Sequence, residues 1–240
     1  MPISYVGGDI NESSSFTVPE SLSLTLPTHQ ADDFGIIYAF ADAGSTVPVL
    51  SVVTASGWTT LVDNEEHTPG RDRVNFVAYK KFTSSSETNP SVQIATISEE
   101  MQCAVLVFRG VDPTNPFDVT YTSNSGADNE TPTPQPITTE SPNCAIVLLN
   151  GQNDNDHNAA GAPAGYTLGP SDMRSNLTNR NIATAYNLDA GAAGLKSPGA
   201  WTHDADGVNT SDYSNYTIAL ALETVATGPD HPFTSITVTG

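Results

Sequence analysis

Residues 36–61 read IIYAFADAGSTVPVLSVVTASGWTTL, and residues 146–168 read IVLLNGQNDNDHNAAGAPAGYTL. Each stretch is an apolar strand, a loop of small residues, then Gly-aromatic-Thr and a Leu. The echo continues downstream at nearly constant spacing. Trp58 aligns with Tyr166, Tyr79 of VAYKKF with Tyr186 of TAYNL, and Thr96 of IATIS with Thr202 of AWTHD. AVLVFRG at 104–110 then aligns with TIALALE at 217–223. So regular an order of landmarks reads as one strand-building unit used twice.

The surrounding sequence carries the same strand signals. Residues 34–40 are almost continuously apolar, as in a strand covered on both faces. Leu22 to Leu26 alternates Leu with Ser and Thr, the period-2 pattern of a half-buried strand. Val74, Phe76, Ala78 and Lys80 share one face of a further strand, with Val77, Tyr79 and Lys81 on the other. Ser4-Tyr5-Val6 and Ser15-Phe16-Thr17-Val18 read as short strands around a Gly-Gly turn. Phe233 to Val238 reads as a last strand, and only Ser171 to Thr178 hints at a helical turn. About a dozen short strands separated by turn signals predict an all-β fold, an antiparallel β-sandwich of jelly-roll type with an internal duplication.

Four segments follow from that reading. Residues 1–33 are N-terminal strands and a candidate anchor, with completion of the sandwich as the alternative. Residues 34–122 form the first half of the sandwich. Residues 123–142, rich in Ser, Thr, Asn and Pro, form an extended connector. Residues 143–240 form the second half. One domain is favoured over two because half of the 240 residues would enclose a thin core.

Hydrophobic residues make up 38% of the chain and charged residues only 15%. The formal charge is −19, from 8 basic and 27 acidic residues. A surface so poor in Lys and Arg repels phosphates, which argues against nucleic acid and against anionic membranes as partners. The acidity favours solubility at high concentration. Met1-Pro2-Ile3-Ser4 has no basic or apolar leader character, so no signal peptide is expected: the product would be made in a cytoplasm and would leave, if at all, by another route, such as lysis.

No sequence pattern for a nucleophile elbow, a zinc protease, a P-loop or a dinucleotide fold occurs. Paired carboxylates for sugar hydrolysis are not evident either. Glu65-Glu66 and Glu99-Glu100 are adjacent, so their side chains point apart. The expectation is a protein that is not an enzyme. Cys103 and Cys144 each open an apolar strand and read as buried free thiols, with a disulfide between them as the alternative. Two loops concentrate hard oxygen ligands, around Asp154 and Asp156 and around Asp204 and Asp206. Calcium is their candidate ligand, and ordinary polar turns are the alternative. Trp58 and Trp201 are candidate sugar-stacking rings, against a role in the core. Arg109 ends an apolar strand and is expected to reach solvent or a carboxylate.

Four short motifs now form an order. They are Asp33-Phe34-Gly35-Ile36-Ile37, Gly57-Trp58-Thr59, Val77-Ala78-Tyr79-Lys80 and Val107-Phe108-Arg109-Gly110-Val111-Asp112. This order resembles a jelly-roll-like domain in virion proteins of tailed, often marine, bacteriophages. The usual pattern there has Gly-Asp before the first long strand and Tyr-Arg-Gly in the last, where this chain has Asp32-Asp33 and Phe108-Arg109-Gly110. The resemblance implies head decoration proteins, head fibres or tail components, and brings no catalytic residues. The expectation is a non-enzymatic structural protein on the virion surface, a capsid decoration (cement) or head-fibre protein. Its partner would be the major capsid protein, and a homotrimer would suit three-fold positions. The alternative is a carbohydrate- or receptor-binding module of a tail fibre. That module would bind a host glycan through Trp201 beside a calcium held by Asp154 and Asp156 or by Asp204 and Asp206.

Overall fold

The structure, a computed structural model, describes residues 1–13, 19–42, 47–66, 73–95, 100–126, 131–153, 159–171, 180–203 and 212–223. Those residues form antiparallel strands and no helix. The apolar strand β3 (Phe34–Asp42) is flanked by β6 (Arg73–Lys81) and β8 (Met101–Arg109). With β1 (Ser4–Glu12) and β5 (Thr59–Glu66) at the edges, they make a five-stranded sheet in the order β1-β8-β3-β6-β5. A three-stranded sheet of β2 (Glu20–Ser23), β7 (Ser91–Ile94) and β4 (Leu50–Val52) covers one of its faces. Ile37, Ala39, Val74, Phe76, Val105 and Val107 meet Leu22, Leu24, Leu50, Val92 and Ile94 in the core between them. The period-2 run from Leu22 to Leu26 thus packs as its pattern predicts.

The second half repeats this plan. Its strands are β9 (Thr122–Gly126), β10 (Ile137–Thr139), β11 (Ala145–Asn153), β12 (Ala159–Gly161), β13 (Thr167–Leu168), β14 (Arg180–Asn187), β15 (Gly194–Lys196), β16 (Thr202–His203) and β17 (Asp212–Leu220). The five-stranded order is β13-β14-β11-β17-β9. Replacing β1, β3, β5, β6 and β8 by β9, β11, β13, β14 and β17 turns the first order into the second. The pairs β10-β15 and β12-β16 stand where the three-stranded sheet stands in the first unit. Ile137, Ile146, Leu148, Ala183 and Trp201 fill the core of this second unit.

Register confirms the duplication residue by residue. Tyr79 pairs with Ile36 and Thr59, and Tyr186 pairs with Val147 and Thr167. Leu106 lies opposite Ile36, and Ile218 lies opposite Val147. Residues 104–110 therefore correspond to 216–222, one residue from the alignment read off the sequence. A one-residue slip exchanges the two faces of a strand. It is hard to see in the sequence because both strands are buried on both faces. Thr96, another landmark, lies outside the described residues.

The remaining faces of the two five-stranded sheets pack on each other. Phe34, Ile36, Tyr38, Phe40, Leu106 and Phe108 meet Val147, Leu149, Ile182, Tyr216, Ile218 and Leu220. The molecule is four sheets deep, with the two large sheets inside. Equivalent residues meet across this contact. Tyr5 stacks on Tyr186 at 4.5 Å, and Phe117 packs on Tyr79 at 4.9 Å. Tyr5 and Phe117 are counterparts, since they pair with Phe108 and Leu220 respectively. Gln102 Oε1 accepts from the Ile182 amide, and Ser214 Oγ pairs with Asn75 Nδ2 in the corresponding place. Such reciprocity is the pattern of a two-fold interface, held here within one chain.

Residues 1–33 and 123–142 have parallel roles in this plan. The first segment supplies β1 to a large sheet and β2 to a small one, and the second contains most of β9 and all of β10. Gly7-Gly8 is not a turn but the middle of β1. A Cβ on Gly8 would collide with the Val105 carbonyl and with Pro170 of the second unit, so only glycine lets β1 lie there. Three stretches read from the sequence lie outside the described residues: Ser15 to Val18, residues 172–178 of the expected helical turn, and Phe233 to Val238. The first and last described residues, Met1 and Glu223, line one hollow of about 210 Å³ with Asp33 and Arg109.

Arg73 closes one end of the contact between the large sheets. It is fully buried at the start of β6. Its Nη1 donates to the Tyr213 carbonyl at 2.6 Å and the Gly126 carbonyl at 3.2 Å, and Asp212 lies 3.7 Å from Nη2. Asn75 sits beside it, accepting from the Tyr38 hydroxyl at 2.9 Å. Replacing Arg73 with Met removes the donors and leaves their carbonyl partners buried. Urea unfolding should show a loss of about 3 kcal/mol. An unchanged midpoint would show that this end is not sealed by Arg73.

Candidate functional site

The motif residues of the first unit converge at one end of its sandwich. Asp33 is fully buried and accepts two parallel bonds from Arg109, Nε to Oδ1 at 2.7 Å and Nη2 to Oδ2 at 2.8 Å. The Gln30 amide adds a third bond at 2.9 Å. A planar fork on a carboxylate is the strongest form of this pairing. The bond to Asp33 raises the already high pKa of Arg109. Gly35 makes room for an aromatic cluster: a Cβ there would lie 2.9 Å from Trp58 and 3.0 Å from Phe82. Phe82 meets Trp58 and His29 edge-on.

Lys80 ties this cluster to two loops. Its Nζ donates to the Ser56 carbonyl at 2.8 Å and to Glu87 Oε2 at 2.6 Å. Glu87 Oε1 accepts from the Thr83 amide at 2.6 Å, the Thr83 hydroxyl at 2.9 Å and the Ser84 amide at 3.2 Å. Burial opposes ionisation of Glu87, but the Lys80 hydrogen bond, the Thr83 bonds and the Lys80 charge outweigh it and hold the carboxyl down at about 2.

Beside Trp58 the first sandwich is open. The edge strands β4 and β5 belong to different sheets, and a groove of about 380 Å³ lies between them. Phe76 and Ala78 form its floor, Trp58 one wall, and Ser51, Thr60 and Asp63 its polar part. Asn64 bridges the two strands next to the groove. It adopts φ of 49°, its Oδ1 accepts from the Leu50 amide at 2.7 Å, and its Nδ2 donates to the Leu50 carbonyl at 3.2 Å. One amide side chain thus imitates a paired strand. Asn tolerates this left-handed backbone better than most residues.

The structure separates the two tryptophans. Trp201 is 2% exposed within the core of the second unit, and its Nε1 donates to Asn215 Oδ1 at 3.1 Å. Its ring offers no open face to a sugar. Trp58 is half-buried and lines the groove. Asp154, Asp156, Asp204 and Asp206 lie outside the described residues. The described residues that flank them, Ala159 and His203, are paired neighbours in β12 and β16. Among the described residues no group of three or more His, Cys, Asp or Glu side chains is placed to hold a metal ion.

Cys103 and Cys144 are free, buried thiols in different units, so the alternative of a disulfide does not hold. Burial pushes the Cys144 thiol up to about 11 and the Cys103 thiol higher still. Arg109 reaches a carboxylate, as its position at a strand end suggested. Its partner, and the roles of Asn64 and Ser51, were not read from sequence. A polar Asp-Asn-Glu-Glu interruption in a strand was the one available signal for Asn64.

No protein-family model matches the sequence, and no curated protein matches it. Among solved structures, one described as "Crystal Structure of the STIV MCP" is similar at 8% identity, over 90% of this chain and 97% of that chain, with a TM-score of 0.21. A likeness at that level carries no argument about this chain.

The Lys80–Glu87 clasp gives a pH dependence. Glu87 is held below its ordinary value of 4.5 in the folded protein, so its contribution to stability is complete above about 4.5 and disappears as the pH falls towards about 2. Glu87→Gln should therefore be less stable than the parent at pH 7, and the two unfolding free energies should converge as the medium is acidified. Equal pH slopes for the two proteins between pH 5 and pH 2 would show that Glu87 is not held in this way.

Proposed function

We propose that this chain is a non-enzymatic structural protein of a bacteriophage particle, a capsid decoration (cement) or head-fibre protein on the virion surface. The observation that supports the reading is the place of the residues that carry the resemblance. Asp33, Gly35, Trp58, Lys80 and Arg109 form a connected lock within the first unit. In this reading the residues that carry the resemblance serve to hold a sandwich rigid. A stiff scaffold with a net charge of −19 suits a polar coat that stays soluble until it docks. The docking partner in this reading is the major capsid protein, and a homotrimer at three-fold positions follows the symmetry of a shell.

Calcium at Asp154, Asp156, Asp204 and Asp206 belongs to the same reading as a stabilising ion. Adding calcium should raise the thermal midpoint reversibly, with EDTA restoring it, and Asp204→Asn with Asp206→Asn should remove the shift. No shift in the parent protein would remove calcium from the reading.

Peptide mass spectrometry of purified particles from the source, scaled to the major capsid protein, tests the main proposal. Hundreds of copies per particle are expected for a decoration protein. A handful would move the chain to a fibre or tail, and absence would overturn the virion reading.

A further inference from the structure

We propose that the groove between β4 and β5 binds a neutral saccharide, with Trp58 as the stacking wall. The inference does not depend on the virion reading, since a groove can bind its ligand whether or not the chain is part of a particle. Three features of the site point to this ligand class.

The first is the pairing of an aromatic wall with unspent polar groups. Trp58 is half-buried and lines the groove, and an indole ring is a flat apolar surface of the kind that packs on the C–H face of a sugar ring. Among the described residues, the hydroxyls of Ser51 and Thr60 make no hydrogen bond. Asp63 uses one carboxylate oxygen, Oδ1, to accept from Asn64 Nδ2 at 2.9 Å, and the other has no described partner. A carboxylate oxygen accepts from a hydroxyl, and Ser and Thr hydroxyls both donate and accept. A polyol with one apolar face meets all of these at once.

The second is charge. None of the residues lining the groove is cationic, and Asp63 lines it with negative charge. The nearest ammonium, Lys80, is already bound to Ser56 and Glu87. An anionic ligand would therefore be repelled without compensation, so among saccharides the groove disfavours acidic ones. The volume of about 380 Å³ is near the lower end of the ~300–1,000 Å³ typical of small-molecule sites, room for one or two sugar rings.

The third is rigidity. The Lys80 bond to Ser56 holds the loop that carries Trp58, Gly57 turns it at φ of 83°, and Asn64 fixes the two edge strands. Little ordering is left to be done when a ligand enters, which lowers the entropic cost of binding.

The two tryptophans provide the assay. Titration of the full chain with neutral oligosaccharides (maltose, cellobiose, lactose and N-acetylchitobiose) should change its intrinsic fluorescence saturably for at least one of them. Sialyllactose, tested as the acidic counterpart of lactose, should have no effect. In Trp58→Phe the fluorescence response should vanish while the emission of buried Trp201 reports an intact fold. Asp63→Ala, at an exposed position, keeps Trp58 in place and should weaken binding about tenfold, read by saturation-transfer NMR as well as fluorescence. Three results would overturn the proposal: no response to any neutral saccharide at ~10 mM, far weaker than useful affinities; binding confined to the acidic sugar; or undiminished binding by Asp63→Ala.

Discussion

The rest of the structure depends on the back-to-back contact of two five-stranded sheets. Through it β3 and β11 are covered on both faces. A first unit standing alone would leave Phe34, Ile36, Tyr38, Phe40, Leu106 and Phe108 open to water. Each such side chain gains roughly 1.5–3 kcal/mol from burial, while a whole domain is stable by only about 5–15 kcal/mol. Each sandwich has its own core between its large and small sheets, and the two share a third between the large ones.

Apolar contact alone would not fix how the large sheets sit on each other. The polar residues at their margins do so. Arg73 reaches across to two carbonyls of the second unit, Gln102 receives the Ile182 amide, and Tyr216 donates to Glu65 at 2.9 Å. Each of these bonds is made in the observed alignment of the two sheets, and sliding one sheet over the other would separate buried partners. Gly151 adds a steric condition, because a Cβ there would collide with Phe40 and Tyr38. Burial supplies the attraction, and a few polar groups and one glycine choose the geometry.

The strands were legible because their side-chain periods are strong. The double-faced burial of residues 34–40, the split of Val74, Phe76 and Ala78 from Val77 and Tyr79, and the alternation from Leu22 to Leu26 all appear as read. What covers each face was not legible, since a strand buried on two sides has the same composition whichever sheet lies over it. β1 was obscured for the opposite reason: it is a half-exposed edge strand whose Gly7-Gly8 imitates a turn. The groove was only partly legible. Trp58 and Trp201 sit in similar local sequence, but Trp58 lines the groove beside β4 whereas Trp201 is enclosed in the core of the second unit. The Asp33–Arg109 pair joins two motif residues 76 positions apart that sequence spacing does not connect.

The hollow that Met1 and Glu223 share has a mechanical consequence. Both ends of the described chain leave from the same end of the strands, where Ser4 pairs with Arg109 and Val111 bridges Leu222. A tether pulling these ends apart would peel β1 from β8 one pair at a time, the weakest way to open a ladder. A force applied between that end and the opposite one, where Arg73 lies, would instead shear whole strands along their length and load many pairs together. The same fold is therefore compliant or stiff according to where it is gripped, and its resistance is greatest along the strand axis.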